Sequence, residues 1–485
     1  MSVSRKIAHN VIISSLAKIV STVAALVAIG FVARYLSMEE FGWYVTALTF
    51  FSLFNAIGDW GLYQTATREF SRPKADEKAI ISNAFGLRIV ISSLIVLISP
   101  FIIFFLPYTT ELKIALVFGL FAYFFYSFYQ ILIGLFQKRL VMNQVTLTEM
   151  AGKIIQVIII IIGVKLDWGF TLIASTLLIN MAINFLIILL LSRRFIKFSP
   201  NFDFPKFKSF LKQSWPIGVS VLVTFIYFKA DTLMLSFLKP SADVGIYGAA
   251  YKIIENLNFF PGLIVGLTTP LMAFYVFSHK KKFISIVNKN LTVFLVLAVP
   301  LAIGTIFLAK DIINIVAGPK FPQSVLVLQI VIFSLVFIFF GQLFNAALVS
   351  ARLQKQLLWA LVAAAIFNIT ANLFLIPKFS YLATAAVSAA TELLVALMGL
   401  FLIRKYLGFF PKINKWPFIF ISGFFMAAYL WIFRNLSLPI EIGPREINLS
   451  FIFLLITSPI IYFAGILMFN VITKKEVLEI IRKQQ

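Results

Sequence analysis

Five cations, Lys18, Arg88, Lys153, Lys229 and Lys252, lie inside long apolar runs, and so do five acids, Asp59, Glu149, Asp231, Glu255 and Glu392. Lys18 interrupts VIISSLAKIVSTVAALVAIGF, Val11 to Phe31. On a helix rising ~1.5 Å per residue it stands roughly 12 Å along that run. A charge near the middle of hydrocarbon costs roughly 2.5–3.5 kcal/mol. Ten unpaired ones would cost on the order of 30 kcal/mol, more than a fold tolerates. These groups must face one another, or water, inside a bundle. There, buried cations can make charge-assisted hydrogen bonds to an anion, and buried acids can bind an ion.

Residues at i, i+3, i+4 and i+7 share a helix face, and that spacing collects the charges onto polar stripes. Ser14, Lys18, Ser21, Thr22 and Ala25 form one; Ser52, Asn55, Asp59 and Tyr63 form another; Arg88, Ser92 and Ser99 a third. Further along, Ser220, Thr224, Tyr227 and Asp231 line up, as do Tyr247, Tyr251, Glu255 and Asn258. Glu392 is flanked by Thr384, Ser388 and Thr391. Structural readings stay open beside the functional one. Lys18 can snorkel to headgroups. Glu149 with Lys153, and Lys252 with Glu255, have the spacing of local ion pairs. Lys229 and Asp231 are two apart and cannot share a face. Most of the 55 phenylalanines are packing or lipid-facing residues.

The elements that position these stripes must be membrane helices. The chain has 485 residues, of which 61% are hydrophobic and 13% charged. Mean hydropathy is +0.98, beyond what a soluble protein can cover with polar groups. The expected fold class is therefore an all-α polytopic membrane protein. No alternating barrel pattern occurs, and lipid offers unpaired backbone no partner. The first span is longer than a signal-peptide core and has no A-x-A site, so it is expected to be retained. There is no cysteine, and the two histidines, His9 and His279, flank spans. The net charge of +23 fits a basic cytoplasmic face meeting anionic lipid, not nucleic acid. No Walker, Rossmann or HExxH pattern appears, no metal or cofactor is expected, and no outward loop is long enough for an enzyme domain.

Hydropathy predicts about 14 transmembrane helices: 10–33, 41–64, 79–106, 112–136, 144–164, 169–191, 214–238, 244–275, 286–309, 324–349, 356–376, 380–403, 416–434 and 449–472. Basic residues concentrate in alternate loops, which puts both termini in the cytoplasm. EFGWYVTA, Glu40 to Ala47, matches DVGIYGAA, Asp243 to Ala250, at an offset of 203 that also sets Asn55 opposite Asn258. Both copies begin after an even number of crossings, so the repeat is parallel. The expected organisation is an N-terminal six-helix lobe, 1–191, a linker, 192–213, and a C-terminal six-helix lobe, 214–405. Residues 406–485 add two helices and a tail. A hydrated central cavity is expected between the lobes. The linker interleaves lysine with phenylalanine, a pattern suited to anionic headgroups.

ARYLSMEEFGWY from Ala33, AIGDWG from Ala56 and REFSR from Arg68 resemble the opening hairpin of the polysaccharide flippases. These are the Wzx-type O-antigen and exopolysaccharide transporters of the MOP superfamily. ADTLMLSFL from Ala230, DVGIYGAAYK from Asp243, Pro270-Leu271-Met272 and NITANLFLIPK from Asn368 resemble the same family. The family's next turn is glycine-rich; here it reads FSYLATAA, with Ser380 and Ala383 in place of glycines.

The resemblance implies flipping of a polyprenyl-(pyro)phosphate-linked oligosaccharide from the cytoplasmic to the outer leaflet, by alternating access with H⁺ or Na⁺ antiport. On that footing Lys18, Arg88, Lys153 and Lys252 are the expected headgroup ligands. Asn55, Asn258, Tyr63 and Tyr251 would meet the sugar. Asp59, Asp231, Glu255 and Glu392 are the candidates for a coupling ion. The resemblance also implies membrane lipids and polysaccharide polymerase machinery as partners, and a monomer is expected.

Two other roles share the architecture. A multidrug exporter of the MATE type normally stops near twelve helices and lacks REFSR. A peptidoglycan-precursor flippase has the same helix count and stays open. A major-facilitator carrier would show G-x-x-x-D-R-x-G where this chain has TREFSRPKADEK.

Overall fold

The computed structural model describes residues 3–72, 75–436, 439–442, 445–448 and 450–471, with side chains described from Ile13 onward outside 437–449. The structure is that of an all-α multi-pass membrane protein. Thirteen helices among these residues are long and apolar enough to cross a bilayer. One of them, Gln354–Leu407, runs for 54 residues. It is interrupted at Ser380, whose φ of 49° and ψ of −129° are not helical. The break leaves two stretches, 354–379 and 381–402, each long enough to span, which brings the crossings to fourteen.

Two compact units divide the chain, residues 1–248 and 249–485. The first contains α1 (Val3–Tyr35), α2 (Met38–Asp59), α3 (Leu62–Phe70), α4 (Glu77–Phe105) and α5 (Thr110–Lys138). It continues with α6 (Met142–Lys165), α7 (Gly169–Ser192), α8 (Phe204–Leu238) and the first turns of α9 (Ser241–Leu257). Local signals fix the starts. Ser37 and Glu40 form a reciprocal capping box at α2, with contacts of 2.9 and 3.2 Å. Asp76, Thr109 and Asp203 accept amide hydrogens at the starts of α4, α5 and α8.

The expected second span, 41–64, ends earlier, at Asp59. Trp60 (φ 43°) and Gly61 (φ 75°) both turn left-handed, which stops α2 and lets the short helix α3 leave at a new angle. Helix α8 begins ten residues before its expected start, absorbing part of 192–213. The rest of that segment packs down. The Asn201 amide donates to the Ser82 carbonyl at 3.0 Å, Phe198 meets Phe85, and Phe195 meets Phe136 and the Arg139 guanidinium. Gly86 leaves room for the Asn201 carbonyl. These contacts join the core formed by Phe70, Phe85, Phe128, Leu132, Phe136 and Phe207.

The second unit holds the rest of α9, α10 (Phe259–Ser278), α11 (Lys280–Val316), α12 (Ser324–Ser350), α13 (Gln354–Leu402), α14 (Trp416–Phe433) and α15 (Ser450–Met468). The expected span 244–275 is two helices, broken at Asn258 three residues before Pro261. Helices α14 and α15 pack on α11 through Val299, Leu308, Ile419, Met426 and Tyr462. Between them β1 (Pro439–Ile442) pairs antiparallel with β2 (Arg445–Asn448). Exposed phenylalanines and leucines such as Leu97, Phe101 and Phe104 cover the outside, as expected where lipid is the solvent.

Candidate functional site

Helix α2 stops at Asp59 and leaves carbonyls without intrahelical donors. Arg88 of α4 supplies them. One guanidinium nitrogen donates to the Gly58 carbonyl at 2.8 Å, and the other pairs with Asp59 Oδ1. The Tyr63 amide donates to the same carboxylate oxygen at 3.2 Å. Below Arg88, Ser92 joins Tyr123 (3.2 Å) and Ser127 (2.9 Å). Arg88 is 0% exposed. A bidentate fork spent on a helix end and its carboxylate is closed to a ligand in this conformation.

Lys18 is placed differently. It stands 3.6 Å from Glu149 of α6, with side chains 42% and 31% exposed. Tyr129 donates to the other Glu149 oxygen at 3.1 Å, and Thr146 bonds Ser14 at 3.2 Å between the same two helices. The exposed apolar row of α1 runs along Leu16, Val20, Val23, Val27 and Phe31, with exposed Ile19 at its side. Lys18 is two residues from both Leu16 and Val20, about 200° around the helix from each. Its opening therefore lies away from that row.

One turn further along α6, Lys153 donates to Gln156 at 2.9 Å. Gln156 also accepts from Asn180 (2.7 Å) and donates to Thr176 (3.4 Å), and Asn184 donates to Asn180 (2.9 Å). Gly152 allows this approach: a Cβ there would strike the Asn180 and Asn184 oxygens. The Asn184 and Asn55 side-chain oxygens are buried with no hydrogen-bond donor among the described residues. Tyr63 donates to Gln137 at 3.0 Å.

Asp231 is buried, accepting from Tyr247 at 2.8 Å and from the Thr232 amide at 2.6 Å. In the second unit Lys252 pairs with Glu255 at 2.7 Å. Asn258, at the break between α9 and α10, accepts from Gln342 at 2.7 Å. Tyr251 is partly buried, one residue before Lys252. Glu392 is buried beside Thr391, which accepts from Asn368 at 3.2 Å.

The structure thus joins Asp59 with Arg88 and Tyr63, Lys18 with Glu149, and Lys252 with Glu255. Among the described residues no contact joins Lys18 to Arg88; each is engaged by its own acid. Sequence reasoning missed Gln156, Asn180 and Asn184, which carry no charge to mark them. The signal available was the i, i+4 asparagine pair on an otherwise apolar helix.

The molecule is thus a multi-pass helical membrane protein with fourteen crossings among the described residues and polar side chains buried inside each of its two units. Its fold is shared with the solved lipid II flippase MurJ in an inward closed conformation, at a TM-score of 0.76 and 17% identity, covering 94% of this chain and 98% of that one. It is also shared with an inward-facing multidrug resistance MATE family transporter of the MOP superfamily, at a TM-score of 0.63 and 14% identity, covering 87% and 99%.

The chain belongs to the polysaccharide biosynthesis protein family, which it matches over residues 7–276. The MatE family matches 216–374. A relative, "Probable flippase AglR" of Haloferax volcanii, is 26% identical over 218 residues, 44% of this chain and 46% of the relative. The chain spans about half the length of the curated relatives it matches.

Proposed function

We propose that the protein moves a polyprenyl-(pyro)phosphate-linked oligosaccharide from the cytoplasmic to the outer leaflet by alternating access, with both termini cytoplasmic. A phosphate headgroup cannot cross hydrocarbon unless its charge is met. The observation that carries the reading is Lys18, a half-open ammonium inside a span and turned away from the exposed apolar row of its helix. Lys153 would assist it, and Lys252 would act in the second unit. The amides of Gln156, Asn180 and Asn184, together with Asn55, Asn258, Tyr63 and Tyr251, are the groups suited to sugar hydroxyls and ring faces. Family membership and the likeness to flippases support the same reading. A monomer working beside polysaccharide polymerase machinery belongs to the proposal, as does coupling to H⁺ or Na⁺.

The likeness to the lipid II flippase over most of the chain favours a peptidoglycan precursor as a second reading. Both follow from the same experiment. Purified protein in vesicles is given polyprenyl-pyrophosphate oligosaccharide or lipid II, with a proton or sodium gradient imposed, and outer-leaflet substrate is counted. Faster appearance of the oligosaccharide, lost in Lys18→Ala, is the expected result. Movement of lipid II alone selects the second reading. Movement of neither, with export of cationic dyes instead, overturns both.

A further inference from the structure

Three connections of the second unit gather cations without acids. Lys280, Lys281, Lys282 and Lys289 open α11, Arg352 and Lys355 join α12 to α13, and Arg404, Lys405, Lys412 and Lys415 lead from α13 to α14. All of them are exposed, and the stretches 278–290, 350–356 and 403–416 contain no Asp or Glu. Contacts draw the three stretches onto one face. The Lys412 amide donates to Asn288 Oδ1 at 2.9 Å, and the Phe283 and Phe409 rings meet edge to face. The Lys280 ammonium lies beside Gly408, and the Arg352 guanidinium stands over Phe277 at the end of α10.

The unit's own acids are elsewhere. Glu255 holds Lys252, Asp311 lies near the far end of α11, and Glu392 is buried in α13. Among the described residues none forms an ion pair with the cations of this face. The sequence beyond 471 adds four cations against two acids, so it brings no net negative charge. In the first unit, by contrast, Glu69, Glu77 and Asp203 pair with Arg68, Arg72, Lys138, Arg139 and Lys206. A face of like charges repels itself, and an external anion relieves that.

The neighbouring rings say what the anion is. Lys282 stands over Tyr275 at 5.1 Å, Arg352 over Phe277 at 5.6 Å and Lys405 over Phe401 at 5.8 Å. Phe277 and Phe401 are 68% and 60% exposed on helices long and apolar enough to cross a bilayer. Cations beside exposed rings at the ends of spans mark the headgroup level. A soluble acidic partner would not reach rings set against acyl chains. Arg352 (φ 63°) and Lys415 (φ 57°) also hold left-handed turn positions that favour glycine or asparagine. Cations kept there against the backbone preference point to a use for their charge.

We propose that this face binds anionic phospholipid headgroups and fastens the second unit to the leaflet that carries them. Lysine meets each phosphate as a point charge and arginine as a fork. The assignment does not depend on what the protein transports.

The full chain is reconstituted in nanodiscs of phosphatidylcholine and phosphatidylglycerol in equal parts and then released into mild detergent. Native mass spectrometry counts the lipid that stays bound. One basic residue near an anionic surface is worth a factor of about five, so wild type should retain phosphatidylglycerol at least about fivefold over phosphatidylcholine. The preference should fade toward parity in about 1 M salt. Lys280→Gln, Lys281→Gln and Lys282→Gln together should cut it at least about threefold, and so, independently, should Arg404→Gln with Lys405→Gln. Arginine in place of the three lysines should keep it. Lys310→Gln with Lys378→Gln should leave it unchanged, for these lie roughly 45 and 35 Å along α11 and α13 from Lys280 and Lys355. Thermal unfolding in detergent checks that each variant is folded. A preference that survives both glutamine sets, or that falls as far in the Lys310 and Lys378 variant, overturns the proposal, since net charge alone would then explain it. Wild type that shows no preference and captures poly-glutamate instead gives the face to a soluble acidic partner and overturns it equally.

Discussion

Gly42 and Gly245 face each other across the start of α2 and the start of α9, and each fills the space the other needs. A Cβ on Gly42 would run into the Ser241 carbonyl and lie 3.1 Å from the Gly245 nitrogen. A Cβ on Gly245 would run into the Met38 carbonyl and lie 3.2 Å from the Gly42 nitrogen. The pairs 42 with 245, 38 with 241 and 45 with 248 all share the offset of 203 that relates EFGWYVTA to DVGIYGAA. Met38 and Ser241 are also the first residues of their helices. Residue i meets the copy of j, and j meets the copy of i, which is the signature of a two-fold relation written into one chain. Glycine at both positions lets the two backbones touch.

That reciprocity makes a quantitative prediction. Gly42→Ala and Gly245→Ala each push a methyl group against backbone that cannot rotate away, an overpacking cost of about 1–3 kcal/mol. Because the contact is mirrored, the two losses should agree within about 0.5 kcal/mol. Gly248→Ala instead meets the Val45 side chain and should lose less. Thermal or denaturant unfolding in detergent reads all three. A large loss at one glycine with none at the other removes the two-fold account.

Arg88 and Asp59 make the second case. Both are buried, and the guanidinium also closes the end of α2 at Gly58. Removing one partner strands the other, at about 3–5 kcal/mol. Arg88→Met and Asp59→Asn should therefore each sharply reduce the yield of folded protein. The double variant should be more stable than the two losses added together. Losses that simply add would mean the pair is not a unit. A well-folded Arg88→Met protein that has lost only pyrophosphate binding would return Arg88 to the headgroup.

Much of this was legible in the sequence because lipid imposes one rule, an apolar helix per crossing, and hydropathy reports it directly. The charges were legible as a set for the same reason, since each is costly if unpaired. Their partners were not. Spacing along one helix pairs Glu149 with Lys153, but the structure sets Glu149 against Lys18, more than a hundred residues away, a choice made by how α1 packs on α6. The early stop of α2 was hidden because Trp60, a residue with no preference for left-handed backbone, makes half of the turn. The amide cluster on α6 and α7 left almost no trace, for asparagine on an apolar helix is as often a packing contact as a ligand.

Tyr108 lies between α4 and α5, outside the spans, and ties that loop to the end of α8. Its hydroxyl shares a hydrogen bond with Ser236 at 2.7 Å, and its ring stacks on Phe237. Burial pushes its phenol from the ordinary value of 10.0 up to about 12, while the Ser236 contact works the other way. The folded state thus disfavours the phenolate. Its contribution is fully present below pH 10.0 and is lost as pH rises toward about 12, where the unfolded chain ionises first. Tyr108→Phe should narrow the alkaline fall in stability over that window while costing the Ser236 bond at neutral pH. An unchanged alkaline profile would mean that Tyr108 does not titrate with unfolding.

Ser380 sits where the resemblance led one to expect glycine, and the backbone there agrees with the expectation and not with the residue. Its φ of 49° and ψ of −129° divide the run 354–402 into its two crossings. An L side chain in that region crowds its own carbonyls, at a cost of about 1–3 kcal/mol. Glycine adopts it without the clash. Ser380→Gly should therefore raise stability by about 1 kcal/mol once its larger unfolded-state entropy is subtracted. Ser380→Val, branched at Cβ, should lose folded protein outright. A drop in stability for the glycine variant would show that the serine hydroxyl contributes more to this turn than its backbone strain costs, and the kink would then owe its position to side-chain bonding.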